Sequence, residues 1–185
     1  DQDQSIIAPH LDTNQTAWTN IKWGTENQVE WECAISLPTI VNQKVWAGLK
    51  LTNDQLIATD ADQLFFKFQT DADNSEVLSD YTKLHFIYSK GGTGYISQLP
   101  ITVAANTNYQ LKITIDSSMQ ASIFVNDTQY NITTTSGSTG GTAVTTGTTK
   151  SAVLTDDIDL IPYIGIETGA ASAVSLDVYY EKISR

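Results

Sequence analysis

The sequence predicts an all-β protein, an antiparallel β-sandwich or jelly roll. Apolar and polar side chains alternate with a period of two through most of the chain, as half-buried strands require. No long segment shows the helical period. Hydrophobic residues make up 41% of the chain, a composition that folds rather than stays disordered. At 185 residues one sandwich domain accommodates the whole sequence.

Residues 1–17 read as an N-terminal extension and 18–185 as the single domain. In QVEWECAISL, Val29, Trp31, Cys33, Ile35 and Leu37 share one strand face, while Gln28, Glu30, Glu32 and Ser36 share the other. KVWAGLKL sets Val45, Ala47, Leu49 and Leu51 against Trp46, Gly48 and Lys50; QLFFKFQT sets Leu64, Phe66 and Phe68 against Phe65, Lys67 and Gln69. KLHFIYS places Leu84, Phe86 and Tyr88 opposite His85 and Ile87, and GGTG then breaks the strand at a turn. YQLKITID and ASIFVND, separated by SSMQ, form a hairpin with Tyr109, Leu111, Ile113, Ile115, Ile123 and Val125 in the core. Thr133 to Lys150 is almost entirely small and hydroxylated, too poor in apolar side chains for a core strand, and reads as an exposed loop. LIPYIGIET and AVSLDVYYEKI close the chain as strands, the second with Val174, Leu176, Val178 and Tyr180 directed inward.

A net charge of −11 and a pI near 4.3 make a nucleic-acid partner unfavourable. No run is long and apolar enough to cross a bilayer as a helix, and the acidic start lacks the basic region of a secretory signal. Arg185 is the only arginine, which argues against bidentate recognition of phosphate or carboxylate at an internal site. Cys33 is the only cysteine and lies on an apolar strand face, so a buried thiol is expected.

YQLKITIDSSMQASIFVND followed by YIGIETGAASAVSLDVYYEKISR resembles the second half of a concanavalin A-like lectin/glucanase jelly roll, laminin-G-like modules included. VEWECAI, VWAGLKLTN and FFKFQTD fit the first strands of that fold. The chain from TAWTNIKWGTENQVEWE to LDVYYEKISR is also similar in texture to structural proteins of marine tailed phages. The first resemblance implies a sheet face that binds extended glycans. The second implies an exposed virion component, located on the virion surface or extracellularly.

Glu26, Gln28, Glu30 and Glu32 occupy one strand face. Retaining glycosidases need two carboxyl groups about 5 to 5.5 Å apart, a separation that such spacing approaches. Laminarinase-like members of the resembled superfamily carry an E-x-D-x-E-type strand. Here the middle Asp is missing, so the acids read as a solvated face and no catalytic residue is assigned. YSKGGTGYISQ, Tyr88 to Gln98, is similar to a strand of alginate-lyase-like jelly rolls, but no internal arginine is present to neutralise a substrate carboxylate. The glycines therefore read as a turn. His10 and His85 lack metal-ligand spacing. DADNSE, Asp71 to Glu76, and DDID, Asp156 to Asp159, make calcium a candidate ligand without matching an EF-hand loop. Sequons stand at Asn14, Asn126 and Asn131.

The collective signal lies opposite the apolar stripes. Glu30, Glu32, Trp46, Lys50, Phe65, Lys67, His85, Lys112, Tyr163, Glu167 and Tyr179 mix aromatic and charged groups, with Phe124 and Asp177 beside them. They are the candidate ligand-binding residues. Their ligand is a glycan, or their partner is another protein subunit, a homo-oligomer included. The leading expectation is a non-enzymatic β-sandwich module, an exposed phage structural or decoration protein with glycan adhesion. A cellular carbohydrate-binding lectin is the alternative, and a divergent glycoside hydrolase using Glu30 and Glu32 the second alternative.

Overall fold

The computed structural model describes residues 4–7, 23–52, 56–70, 78–169 and 173–185. Within them the strands are β1 (Gln4–Ile7), β2 (Glu30–Ser36), β3 (Gln43–Lys50), β4 (Gln63–Gln69), β5 (Lys83–Lys90) and β6 (Thr93–Thr102). They continue with β7 (Asn108–Ile115), β8 (Ala121–Val125), β9 (Thr128–Tyr130), β10 (Thr142–Ala143), β11 (Ile161–Thr168) and β12 (Asp177–Ser184). A seven-stranded sheet has the order β1-β11-β3-β4-β5-β6-β10, and a five-stranded sheet the order β12-β2-β7-β8-β9. All pairings are antiparallel except the two-residue contact of β10 with β6. No described helix is long and apolar enough to cross a membrane.

The alternation builds the main core as expected. Trp31, Cys33 and Ile35 of β2 and Leu111, Ile113 and Ile123 of the β7–β8 hairpin meet Val45, Ala47, Leu64, Phe66 and Phe86 of the larger sheet. Phe66 and Phe86 pack edge to face with centroids 5.3 Å apart, and Tyr88 stacks on Tyr95 at 4.4 Å. Such aromatic pairs add about 0.5–1.5 kcal/mol each beyond their buried area. Cys33 is fully buried, and loss of hydration pushes its thiol pKa well up. Gly91 and Gly92, at φ 52° and 80°, make the turn from β5 into β6.

Three features depart from the sequence reading. Gln4–Ile7, within the stretch read as an extension, is a strand that pairs with β11 at the edge of the larger sheet; His10 and Asn14 lie outside the described residues. The hydroxylated stretch 133–150 is mostly exposed but is tied down along its length. Thr142 and Ala143 pair with Ser97 and Gln98, and Ile132 N–H donates to Thr149 O at 2.9 Å.

The third departure is in β12. Its register against β2 jumps between Val178 and Tyr180, leaving Tyr179 as the extra residue of a β-bulge. Val178 faces the core as expected, but Tyr180 does not: it stands on the outer face and is 38% exposed. Glu181 and Ile183 take the inward positions, opposite Cys33 and Trp31, and Trp31 Nε1 donates to Glu181 Oε1 at 2.9 Å. One added residue reverses every side chain after it.

Candidate functional site

The eleven candidate residues divide between the two sheets, so they do not form one groove. Trp46, Lys50, Phe65, Lys67, His85, Tyr163 and Glu167 belong to the larger sheet; Glu30, Glu32, Lys112 and Tyr179 belong to the smaller. Period-two alternation assigns a side chain to a face of its own strand but does not say which strands share a sheet.

On the outer face of the larger sheet, cross-strand register aligns Gly165, Trp46, Lys67, His85 and Gln98 in one row, and Tyr163, Gly48, Phe65, Ile87 and Ile96 in the next. All seven candidates on this sheet are buried. A second apolar cluster seals the face: Ile57 and Leu78, from connecting segments, pack with Trp46, Phe65, Ile87 and Ile96, and Ile6 of β1 joins them. Gly141 passes over the same face, where an added Cβ would stand 3.3 Å from His85 Cδ2 and 3.2 Å from Ile96 Cγ2. The Trp46 indole lies against β11 and is no sugar platform: a Cβ at Gly165 would come within 2.2 Å of Trp46 Cζ2.

Lys44 and Lys50, under this cover, face carboxylates. Lys44 Nζ lies 2.6 Å from Glu167 Oε1. Lys50 Nζ sits 4.3 Å above the Phe65 ring, donates to Gln63 Oε1 and stands 3.4 Å from Asp60 Oδ2. His85 Nδ1 lies 3.1 Å from Lys83 O, so this nitrogen carries the proton of the neutral ring. Burial lowers the His85 pKa to about 4, against the hydrogen bond to Lys83 and the charge of Asp80, which favour the cation. His85 Nε2 and Trp46 Nε1 have no hydrogen-bond partner among the described residues.

The outer face of the smaller sheet is open and polar. Its central row runs Lys182, Glu32, Lys112, Phe124 and Gln129 across β12, β2, β7, β8 and β9. Glu32 accepts from Gln110 Nε2 at 2.7 Å, from the Tyr180 hydroxyl and from Lys182 Nζ at 3.0 Å. Burial alone would raise its pKa; the bonds from Tyr180, Gln110 and Lys182, together with the Lys182 charge, outweigh this and bring it to about 2. Lys112 Nζ lies 2.9 Å from Glu30 Oε2 and 5.9 Å from the Phe124 ring centroid. Tyr179, 59% exposed, projects at the bulge on the edge of this face.

Glu32 does not suit the role of a catalytic acid. A glycosidase acid needs a carboxyl that holds its proton near neutrality, whereas Glu32 is ionised there and engaged by three donors. Among the described residues no three His, Cys, Asp or Glu side chains converge to hold a metal ion. That covers the turn at Asp156 to Asp159, while Asp71 to Glu76 lies outside the described residues. Sequence reasoning missed Gln110, Tyr180 and Lys182 as partners of Glu32. Gln110 was legible two residues before Lys112 on the same strand face; the other two were displaced by the bulge.

The chain matches no family model and no curated protein sequence. Among solved structures it is similar to alginate lyase A1-II′, a member of polysaccharide lyase family 7, with TM-score 0.55, 10% identity, and coverage of 97% of this chain and 70% of that one. It is also similar to a toad ovary galectin solved with thio-digalactose, with TM-score 0.50, 10% identity, and coverage of 97% and 98%. The fold is a concanavalin A-like jelly roll. At such identities the likeness concerns the path of the backbone and leaves function to the site. The sheet order and the two packed layers agree with that fold.

Proposed function

We propose that the protein is a non-catalytic glycan-binding β-sandwich and that the outer face of its five-stranded sheet is the binding surface. The observation that carries this reading is the central row, in which Phe124 lies beside Lys112 and Lys112 beside Glu32, with Glu30 ion-paired to Lys112 from the row on one side and Tyr180 bonded to Glu32 from the row on the other. Glycan sites combine flat apolar surface with a few fixed polar groups. Phe124 and Tyr180 offer the rings, and Gln110, Lys112 and Glu30 offer donors and acceptors for hydroxyls. Opposite charges alternate along the row, and the chain carries a net charge of −11, so a neutral polysaccharide suits the face better than a polyanion.

Affinity electrophoresis against neutral and acidic polysaccharides, with reducing ends assayed in the same samples, tests the proposal. Retardation by a neutral polymer, without new reducing ends and lost in Phe124→Ala, is the expected result. Retardation unchanged in both Phe124→Ala and Lys112→Ala would move the site elsewhere, and new reducing ends would restore the hydrolase reading.

A second reading, an exposed virion or extracellular scaffold component, draws on the exposed Tyr179 and Tyr180 at the edge strand, a surface suited to another subunit. Native mass spectrometry and a search for the chain in purified particles address it. A strictly monomeric protein absent from particles would reject it.

A further inference from the structure

We infer that Lys50 and Gln63 are set to join through an intramolecular amide bond, with Asp60 carrying the proton. The inference is independent of the glycan reading and concerns the opposite sheet. Lys50 ends β3 and Gln63 begins β4; Leu49 pairs with Leu64, so the two side chains are the next cross-strand neighbours. Lys50 and Gln63 are fully buried, and Asp60 is 3% exposed. Lys50 Nζ donates to Gln63 Oε1, which polarises the amide carbonyl. Asp60 Oδ2 stands 3.4 Å from the same nitrogen and is fixed by the backbone N–H groups of Leu51 and Thr52, each at 3.1 Å. Gln63 Nε2 donates to Ile57 O at 2.7 Å and to Asp60 O at 3.3 Å, so the group that would leave is also held. The Phe65 ring, 4.3 Å from Lys50 Nζ, adds apolar surface beside the amine. Nucleophile, electrophile and proton acceptor are thus oriented together in a dry site, the arrangement that turns a slow bimolecular step into an intramolecular one.

The step balances without any further reactant. The Lys50 ammonium gives one proton to Asp60, and the freed amine adds to Gln63 Cδ, forming the Nζ–Cδ bond. Collapse of the tetrahedral centre breaks Cδ–Nε2. The departing nitrogen takes one proton from Nζ and the proton held by Asp60, leaving as ammonium. Asp60 returns to carboxylate, and no atom changes oxidation state. A covalent tie then joins the end of β3 to the start of β4.

The test is the intact mass of the purified full chain, denatured after storage at neutral pH, followed by peptide mapping. The expected result is a protein lighter by one ammonia, with a branched peptide joining Lys50 to Gln63. Lys50→Arg, which keeps the charge but cannot form the bond, and Asp60→Asn, which removes the proton acceptor, should both show full mass. Wild-type protein at full mass, with separate peptides carrying Lys50 and Gln63, would overturn the inference and leave a buried ion pair only. An ammonia loss that maps to an asparagine overturns it equally. Should both variants fail to fold, the wild-type peptide map still decides.

Discussion

Replacing Glu32 by Gln isolates one identifiable source of acid sensitivity. In the folded protein the Glu32 pKa falls from 4.5 to about 2, because Tyr180, Gln110 and Lys182 hold the carboxylate against the cost of burying it. A folded-state pKa below the unfolded value means that the unfolded chain binds the proton first as pH falls. The stabilisation is therefore present above pH 4.5 and is lost as pH falls through the interval down to about 2. At about 1.4 kcal/mol per pH unit the shift corresponds to about 3 kcal/mol, an upper figure because Lys182 is solvated. Urea unfolding of wild type and Glu32→Gln across the acid range measures it. The variant should be less stable at neutral pH by up to that amount, and the gap should close as pH approaches 2. A gap that stays constant over the whole range would show that the network does not depend on ionised Glu32, and the reasoning would fail.

His85 gives a separate window. Its pKa falls from 6.5 to about 4, so stability is present above pH 6.5 and lost as pH falls toward 4; His85→Gln should remove about 3 kcal/mol of that dependence, read by thermal unfolding across the interval. Gly165→Ala places a methyl group 2.2 Å from Trp46 Cζ2 and should cost about 1–3 kcal/mol, with a change in tryptophan emission; an unchanged melting temperature would contradict the packing. Deleting Tyr179 removes the bulge while leaving Tyr180 opposite Ala34 and Glu181 opposite Cys33, so the variant should fold with a near wild-type urea midpoint. Deleting Lys182 instead moves Ile183 out of the core position opposite Trp31 and should lower the midpoint sharply.

Strand positions and the inward stripes of β2, β3, β4, β5, β7 and β8 were legible because their alternation is regular and one face of each is apolar. The second faces of β3, β4, β5 and β11 were not. Trp46, Phe65, Lys67 and His85 read the same whether they line an open groove or lie beneath another layer, and the residues that cover them, Ile57 and Leu78, stand in apolar stretches too short to show a period. Buried lysines add to the ambiguity, since Lys50 enters the interior with Gln63, Asp60 and the Phe65 ring around its ammonium, and none of these is signalled by alternation. The direction of Tyr180 failed for a different reason: Val178, Tyr179 and Tyr180 carry no turn residue to announce a bulge, and only pairing with β2 reveals it. Of the open face, Glu30, Glu32 and Lys112 were found from sequence because their strands keep a strict alternation.

The placement of the last two strands bears on how the chain is made. β11 is inserted between β1 and β3, and β12 pairs with β2, so both sheets recruit strands from the C-terminal portion of the chain for their N-terminal ones. During synthesis β2 and β3 emerge long before those partners do, with one edge of each unpaired. The β7–β8 hairpin assembles from local sequence, but the sandwich cannot close until ribosomal elongation has delivered β11 and β12. Folding is therefore governed by long loop closures, the slow regime for β topologies. Until then the waiting edges of β2 and β3 are the surfaces on which nascent chains would associate wrongly.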